Sequence, residues 1–227
     1  MDIDFISSLP SMTIIFEHHL KLDNTVDTNT STALTALFNS LAKTDHGLSK
    51  AQLKQAISKG ALWLTRGKHT QRLRRLKKAL QPDDELHFYY NEMVLASEVA
   101  PAILISDEGN YSVWYKPFGM LSQGSKWSDH CTITRFAQQY FPTERAVFII
   151  HRLDRSATGL ILIAHSKKAA RALSAMFENR TTNDNSLEKH YQIIVHGNHS
   201  LNEQPQVLTT DVDGKSARST FRCLTYD

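Results

Sequence analysis

At 227 residues, with 41% hydrophobic and 22% charged side chains, the chain suits a globular protein of one ordinary domain plus a smaller module. No apolar run approaches the length of a membrane span, and the N-terminus, with Asp2 and Asp4, lacks the regions of a secretory signal, so a cytoplasmic location is expected. The two cysteines, Cys131 and Cys223, lie far apart without CxxC or Cys/His spacing, which argues against a disulfide framework or a structural zinc site.

Residues 1–31 read as an N-terminal extension, an apolar patch from Met12 to Phe16 running into the polar stretch Asp23 to Thr32. Leu34, Leu37, Phe38 and Leu41 then recur at helical spacing. After the turn at Gly47 the pattern predicts a second helix, with Ser49 as its N-cap and Leu53, Ala56 and Ile57 facing inward. Lys59-Gly60 stops it, as glycine commonly does at a helix end. A short strand, Ala61 to Leu64, leads into the basic segment Arg66–Lys78. Pro82-Asp83-Asp84 then turns the chain into a strand, Glu85 to Tyr90.

The formal net charge of +3 and the sequence pI near 8.8 are only mildly basic, but the charge is unevenly spread. Between His46 and Pro82 stand Lys50, Lys54, Lys59, Arg66, Lys68, Arg72, Arg74, Arg75, Lys77 and Lys78, with no Asp or Glu among them. Such a run is commonly a solvated surface. Placed after two amphipathic helices, it points instead to neutralisation of RNA phosphates, a contact that gives affinity without sequence choice. The order helix, helix, strand, basic loop, acidic turn, strand resembles the small S4 RNA-binding module over roughly 32–91. Thr65-Arg66-Gly67-Lys68 stands where that module usually has Val-Asn-Gly-Lys. Lys54, Arg72, Arg74 and Arg75 are the expected RNA contacts.

Residues 92–106 read as a linker, and from Pro101 the texture turns β-rich. Tyr111 to Tyr115 reads as a strand, broken by Lys116-Pro117-Phe118-Gly119. Ala146 to Ile150 and Leu160 to Ala164 read as apolar strands. Ser166 caps a helix with Ala169, Leu173, Met176 and Phe177 on one face. Lys189 to His196 is expected to form a further strand, and Phe221 to Leu224 to begin another.

The two apolar strands flank His151-Arg152-Leu153-Asp154-Arg155-Ser156-Ala157-Thr158-Gly159, a loop holding one acid between two arginines. Neighbouring cations favour the charged form of that acid, and a positioned carboxylate can act as a nucleophile. Taken on residue types alone, such a cluster is more often a structural salt bridge than an active site.

The segment closely resembles the HRLDRxTSG signature of the RluA-type pseudouridine synthases, differing at Ala157 and Thr158. Tyr115-Lys116-Pro117-Phe118-Gly119 resembles the N-K-P-x-G motif of that family, with Tyr115 in place of Asn. Lys189-His190-Tyr191 is similar to its K-x-Y segment. The three segments keep the family's order over roughly 107–227. The resemblance implies an α+β fold with a mixed, mainly antiparallel sheet, and isomerisation of a uridine in structured ribosomal or transfer RNA without metal or cofactor. It implies Asp154 as nucleophile or as the base that opens a glycal route, Tyr191 stacked on the target uracil, and Arg152 filling the space that the flipped base leaves. Lys116 is expected to contact RNA, and Arg155 to contact a phosphate or brace the loop. His151 reads equally as an RNA contact or a structural hydrogen-bonding group, and a monomer is expected.

After Asp213-Gly214-Lys215-Ser216-Ala217 the family continues into a G-R-T-H-Q-I-R motif, whereas this sequence ends at Asp227. The alternative expectation is therefore a catalytically impaired RNA-binding paralogue or fragment lacking the C-terminal active-site strands. A carboxylate-dependent glycosidase would need a second acid beside Asp154, and neither Glu178 nor Glu188 lies in a motif for that role.

Overall fold

A computed structural model describes residues 13–23, 32–179, 187–196 and 205–224. The chain divides into two units, 1–186 and 187–227. The first strand is β1 (Ile15–Lys21), in which alternate residues Phe16, His18 and Leu20 turn inward while Glu17, His19 and Lys21 face out. Helix α1 (Ala33–Leu41) buries Ala33, Leu37 and Leu41, and its N-cap, Thr32, accepts from the Thr35 amide. Helix α2 (Lys50–Ser58) starts at Ser49 with a full capping box to Gln52, and buries Leu53, Ala56 and Ile57. It ends where Gly60 takes φ +93°.

Strands β2 (Leu62–Arg66) and β3 (His69–Arg72) form a hairpin, so part of the basic segment is ladder rather than loop. Strand β4 (Glu85–Asn91) completes a sheet of order β1-β4-β2-β3, antiparallel throughout. The 1–31 segment thus supplies an edge strand to the sheet of the basic module. Phe16, Leu37, Leu53, Ile57, Leu62 and Phe88 share its core, each side chain contributing roughly 1.5–3 kcal/mol by burial. Asp84, only 1% exposed, organises the acidic turn. It accepts from the Gln81 amide and bidentately from Arg66, at 2.8 and 2.7 Å. Burial raises the Asp84 pKa, yet the hydrogen bonds and charge of Arg66 bring it below the usual carboxylate range.

Two half-buried histidines of this sheet are expected to make it acid-sensitive. His18 bonds Ser40 at 2.8 Å, and His87 bonds His19 and Thr65, both at 2.9 Å. Burial first, then neighbouring histidines, lower both pKa values in the folded chain, with Glu85 opposing at His87. The folded state therefore favours neutral rings. Their contribution is present above the ordinary imidazole value of about 6.5 and is lost as pH falls through the depressed folded values. Denaturant midpoints measured from pH 7 to pH 5 are expected to fall, and His87→Gln is expected to flatten that slope. An equal slope in the variant would remove His87 from the account.

The 92–106 stretch contains helix α3 (Glu92–Ala96) and the start of strand β5 (Ile103–Asp107), rather than a plain linker. Strand β6 (Tyr111–Lys116), helix α4 (Ile133–Tyr140), strand β7 (Phe148–Ile149) and strand β8 (Gly159–Ala164) follow, then helix α5 (Lys167–Asn179). The second sheet is antiparallel in the order β5-β6-β8-β7. Trp114 is fully buried at its centre, edge-on to Phe136, Tyr140 and Phe141 at 5.0 to 5.9 Å. The expected strand 146–150 shortens to two residues.

In the 187–227 unit, strands β9 (Gln206–Leu208) and β10 (Ser219–Phe221) pair antiparallel. Between them, Val212 and Lys215 exchange both backbone bonds around Asp213-Gly214, both at positive φ, the two-residue turn such a dipeptide favours. The expected strand at 189–196 does not form. Its residues find no ladder partner among the described residues, and Ile193 and Ile194 are exposed. No described helix is long and apolar enough to cross a membrane. The fold is α+β, with mainly antiparallel sheets.

Candidate active site

Strand register brings two distant sequence motifs side by side. In the β6–β8 ladder Lys116 stands opposite Gly159, so the 117–122 turn and the 150–158 loop leave the sheet at the same end. Gly119 and Gly159 take φ +81° and +128°, which glycine alone adopts cheaply. Within the second loop Leu153 is buried in the core with Met120 and Ile161, while Arg152, Asp154 and Arg155 are exposed. Burying Leu153, the apolar residue of 152–155, turns its charged neighbours outward.

The loop backbone is held from beneath. The Leu153 amide donates to Ser122 Oγ at 2.9 Å, and Ser122 Oγ donates to the Leu153 carbonyl at 2.6 Å. The Gly119 amide donates to the Arg155 carbonyl at 2.8 Å, and the Ala157 amide closes a turn on the Asp154 carbonyl at 3.1 Å. None of these bonds uses the Asp154 carboxylate. The result is an exposed acid between two exposed guanidiniums on a backbone fixed at both neighbouring residues.

Lys116 does not face outward as an RNA contact would. Its side chain is fully buried, with Nζ donating to the carbonyls of Met120 at 2.8 Å and Pro117 at 3.2 Å. Burial lowers its pKa, while the charge of Asp154 pulls it back up. The ammonium therefore braces the 117–120 turn and interacts electrostatically with Asp154. His151 makes structural contacts: its ring stacks on Phe177 at 4.5 Å, and Nε2 accepts from the Leu162 amide. Tyr191 lies in the 187–227 unit, exposed, with Lys189 Nζ 5.5 Å from its ring centroid.

The expected RNA contacts of the basic run fall into two groups. Lys54 and Arg75 are exposed. Arg72 and Arg74 instead converge on Asp129, a residue of the loop before α4. Arg72 also donates to the carbonyls of Gly60 and Ser125 and lies 4.3 Å from the Trp63 ring centroid. The Asp129 amide and the Ser128 hydroxyl bond the Lys59 carbonyl. The joint is tight: a Cβ on Gly60 would fall 2.5 Å from Asp129 Oδ1, and one on Gly124 would fall 2.6 Å from Asp129 Cβ. Arg72 and Arg74 thus fasten the basic hairpin to the 122–132 segment, because buried guanidiniums need an acid and Asp129 provides it.

Sequence reasoning missed Ser122 and Asp129. A serine in Leu-Ser-Gln-Gly has no periodic or charge signal. Asp129 likewise stands about fifty residues beyond the basic run, after seven other acids, so nothing local ties it to Arg72 and Arg74. Among the described residues no group of three or more His, Cys, Asp or Glu is placed to hold a metal ion.

A family model described as RNA pseudouridylate synthase matches residues 110–227. Over 139 residues the chain is 29% identical to ribosomal large subunit pseudouridine synthase D of Borreliella burgdorferi, covering 55% of this chain and 40% of that protein. It is 40% identical over 84 residues to tRNA pseudouridine synthase C of Haemophilus ducreyi, covering 36% and 32%. With the mitochondrial RNA pseudouridine synthase 4 of Arabidopsis thaliana it shares 28% identity over 132 residues, 53% of this chain and 25% of that protein. The matches span at most 40% of the length of these relatives.

Proposed function

The chain belongs to the RNA pseudouridylate synthase family, and from that premise we propose that it isomerises a uridine of structured ribosomal or transfer RNA to pseudouridine. The observation that carries this reading is the Asp154 loop, an exposed carboxylate on a backbone held at Leu153 and Arg155. In the proposed reaction the Asp154 carboxylate attacks ribose C1′ as the bond from uracil N1 to C1′ breaks, and C5 of the turned base then displaces the carboxylate. The base turns and rejoins through C5, N1 gains a proton, and C5 releases one. Fixed geometry favours such a step, since a held nucleophile reaches its target without a further search.

A uridine stacked in structured RNA reaches Asp154 only after leaving its stack. Arg152, adjacent and exposed, fills the vacated space in this reading, and Arg155 contacts a phosphate. Tyr191 is the residue assigned to stack on the uracil. The order of two helices, hairpin and strand over 33–91 supports an S4-like RNA-binding role for the basic module, with Lys54 and Arg75 among its contacts.

The test uses the full chain and structured RNA carrying uridine tritiated at C5. Release of tritium in step with pseudouridine formation is expected. A folded chain that binds the RNA and releases none overturns the isomerase reading in favour of an RNA-binding role. Arg152→Ala is expected to slow release more on a uridine within a paired stem than on one in a single strand, where flipping costs less. Equal losses on both would remove Arg152 from base flipping.

A further inference from the structure

We propose that Ser122 is a positioning residue for the Asp154 carboxylate, an inference that rests on the isomerase reading above. Strand β7 ends at Ile149 and β8 begins at Gly159, so Leu153 lies outside any ladder. Leu153 is only 8% exposed, and a buried amide and carbonyl both need partners. One hydroxyl serves both, since serine can donate and accept at once. Ser122 accepts from the Leu153 amide at 2.9 Å and donates to its carbonyl at 2.6 Å.

Ser122 is itself 5% exposed, so water does not compete for the hydroxyl. It is also anchored. The Leu121 amide donates to the Cys131 carbonyl at 3.0 Å, and the Ile133 amide donates to the Leu121 carbonyl at 2.9 Å. Leu153 is the residue immediately before Asp154, and its two peptide groups set the direction of the next Cα–Cβ bond. On the far side the Ala157 amide holds the Asp154 carbonyl and the Gly119 amide holds the next one, at Arg155, so Asp154 hangs between two held peptides. Removing the Ser122 hydroxyl frees one side only. The carboxylate keeps its chemistry and loses its aim.

A displacement of about an ångström at a reacting group lowers turnover by up to roughly a hundredfold. In the full chain, Ser122→Ala is therefore expected to lower kcat for tritium release by about ten- to a hundredfold. KM and RNA affinity should stay within about twofold, because Arg152, Arg155 and the basic module keep their places. Amide exchange across 152–156 should accelerate, with 50–66 unchanged. Ser122→Cys, similar in size but a weak donor and acceptor, should fall between the two and carries the comparison if the alanine variant fails to fold. An unchanged kcat, a matching rise in KM, or unaltered exchange at 152–156 overturns the proposal. If the unaltered chain binds RNA and releases no tritium, the isomerase reading falls instead. Exchange at 152–156 then still decides whether Ser122 holds the loop.

Discussion

Asp154→Asn is expected to lower tritium release from C5-labelled uridine RNA by at least about a thousandfold, while RNA affinity and the thermal midpoint stay close to those of the unaltered chain. The magnitude follows from removing a nucleophile rather than weakening a contact. An amide matches the carboxylate in shape and lacks its charge and nucleophilicity. The fold should not register the change. The bonds that hold 153–157 run from the backbone of Leu153, Asp154 and Arg155 to Ser122, Ala157 and Gly119. His151 adds a side-chain bond to the Leu162 amide, and none of these bonds uses the Asp154 carboxylate. The Asp154 side chain is exposed; its charge supports the buried Lys116 ammonium, whose bonds to the Met120 and Pro117 carbonyls remain in the variant. A variant that keeps its activity would place the nucleophile elsewhere. A variant that loses RNA binding in proportion would make Asp154 a binding residue.

Local pattern carried much of this fold. Apolar spacing located α1 and α2, and Ser49 and Gly60 marked the ends of the second helix, because caps and periodicity are properties of adjacent residues. Strand β1 escaped notice: Phe-Glu-His-His-Leu reads as polar, and its strand character comes from pairing with β4, about seventy residues away. Lys189–His196 shows the converse. Its β-rich composition predicts a strand, yet a strand is defined by its neighbour, and none pairs with it among the described residues. The site divides in the same way. The Asp154 loop was legible as a motif, but the serine beneath it was not, because a hydrogen bond across thirty-one positions leaves no local trace. Lys116 was legible as a residue to watch, though its burial under the turn was not, since sequence alone favours an exposed lysine.

The basic run, uniform in sequence, is expected to separate into two sets under mutation. Asp129→Ala should destabilise the chain by about 2–4 kcal/mol, the scale of stripping the partner from guanidiniums already removed from water. Arg72 and Arg74 are 11% and 24% exposed at their side chains, and both depend on the same carboxylate. Burial works against the Arg72 charge, Asp129 supports it, and Arg74 opposes it; Arg135 is subject to the same three influences. Without Asp129 the three cations repel one another in a half-buried joint. Denaturant midpoints should show the loss, and amide exchange should rise in 59–74 and 122–132. Neutralising Lys54, Lys68, Arg75 and Lys77, all exposed, should leave those midpoints nearly unchanged. It should weaken RNA binding and flatten its dependence on salt by about one ion per phosphate contact removed. If Asp129→Ala proved as stable as the unaltered chain, Arg72 and Arg74 would return to the RNA-facing set. If the four exposed substitutions left the salt dependence unchanged, RNA would not be reading the basic run at all.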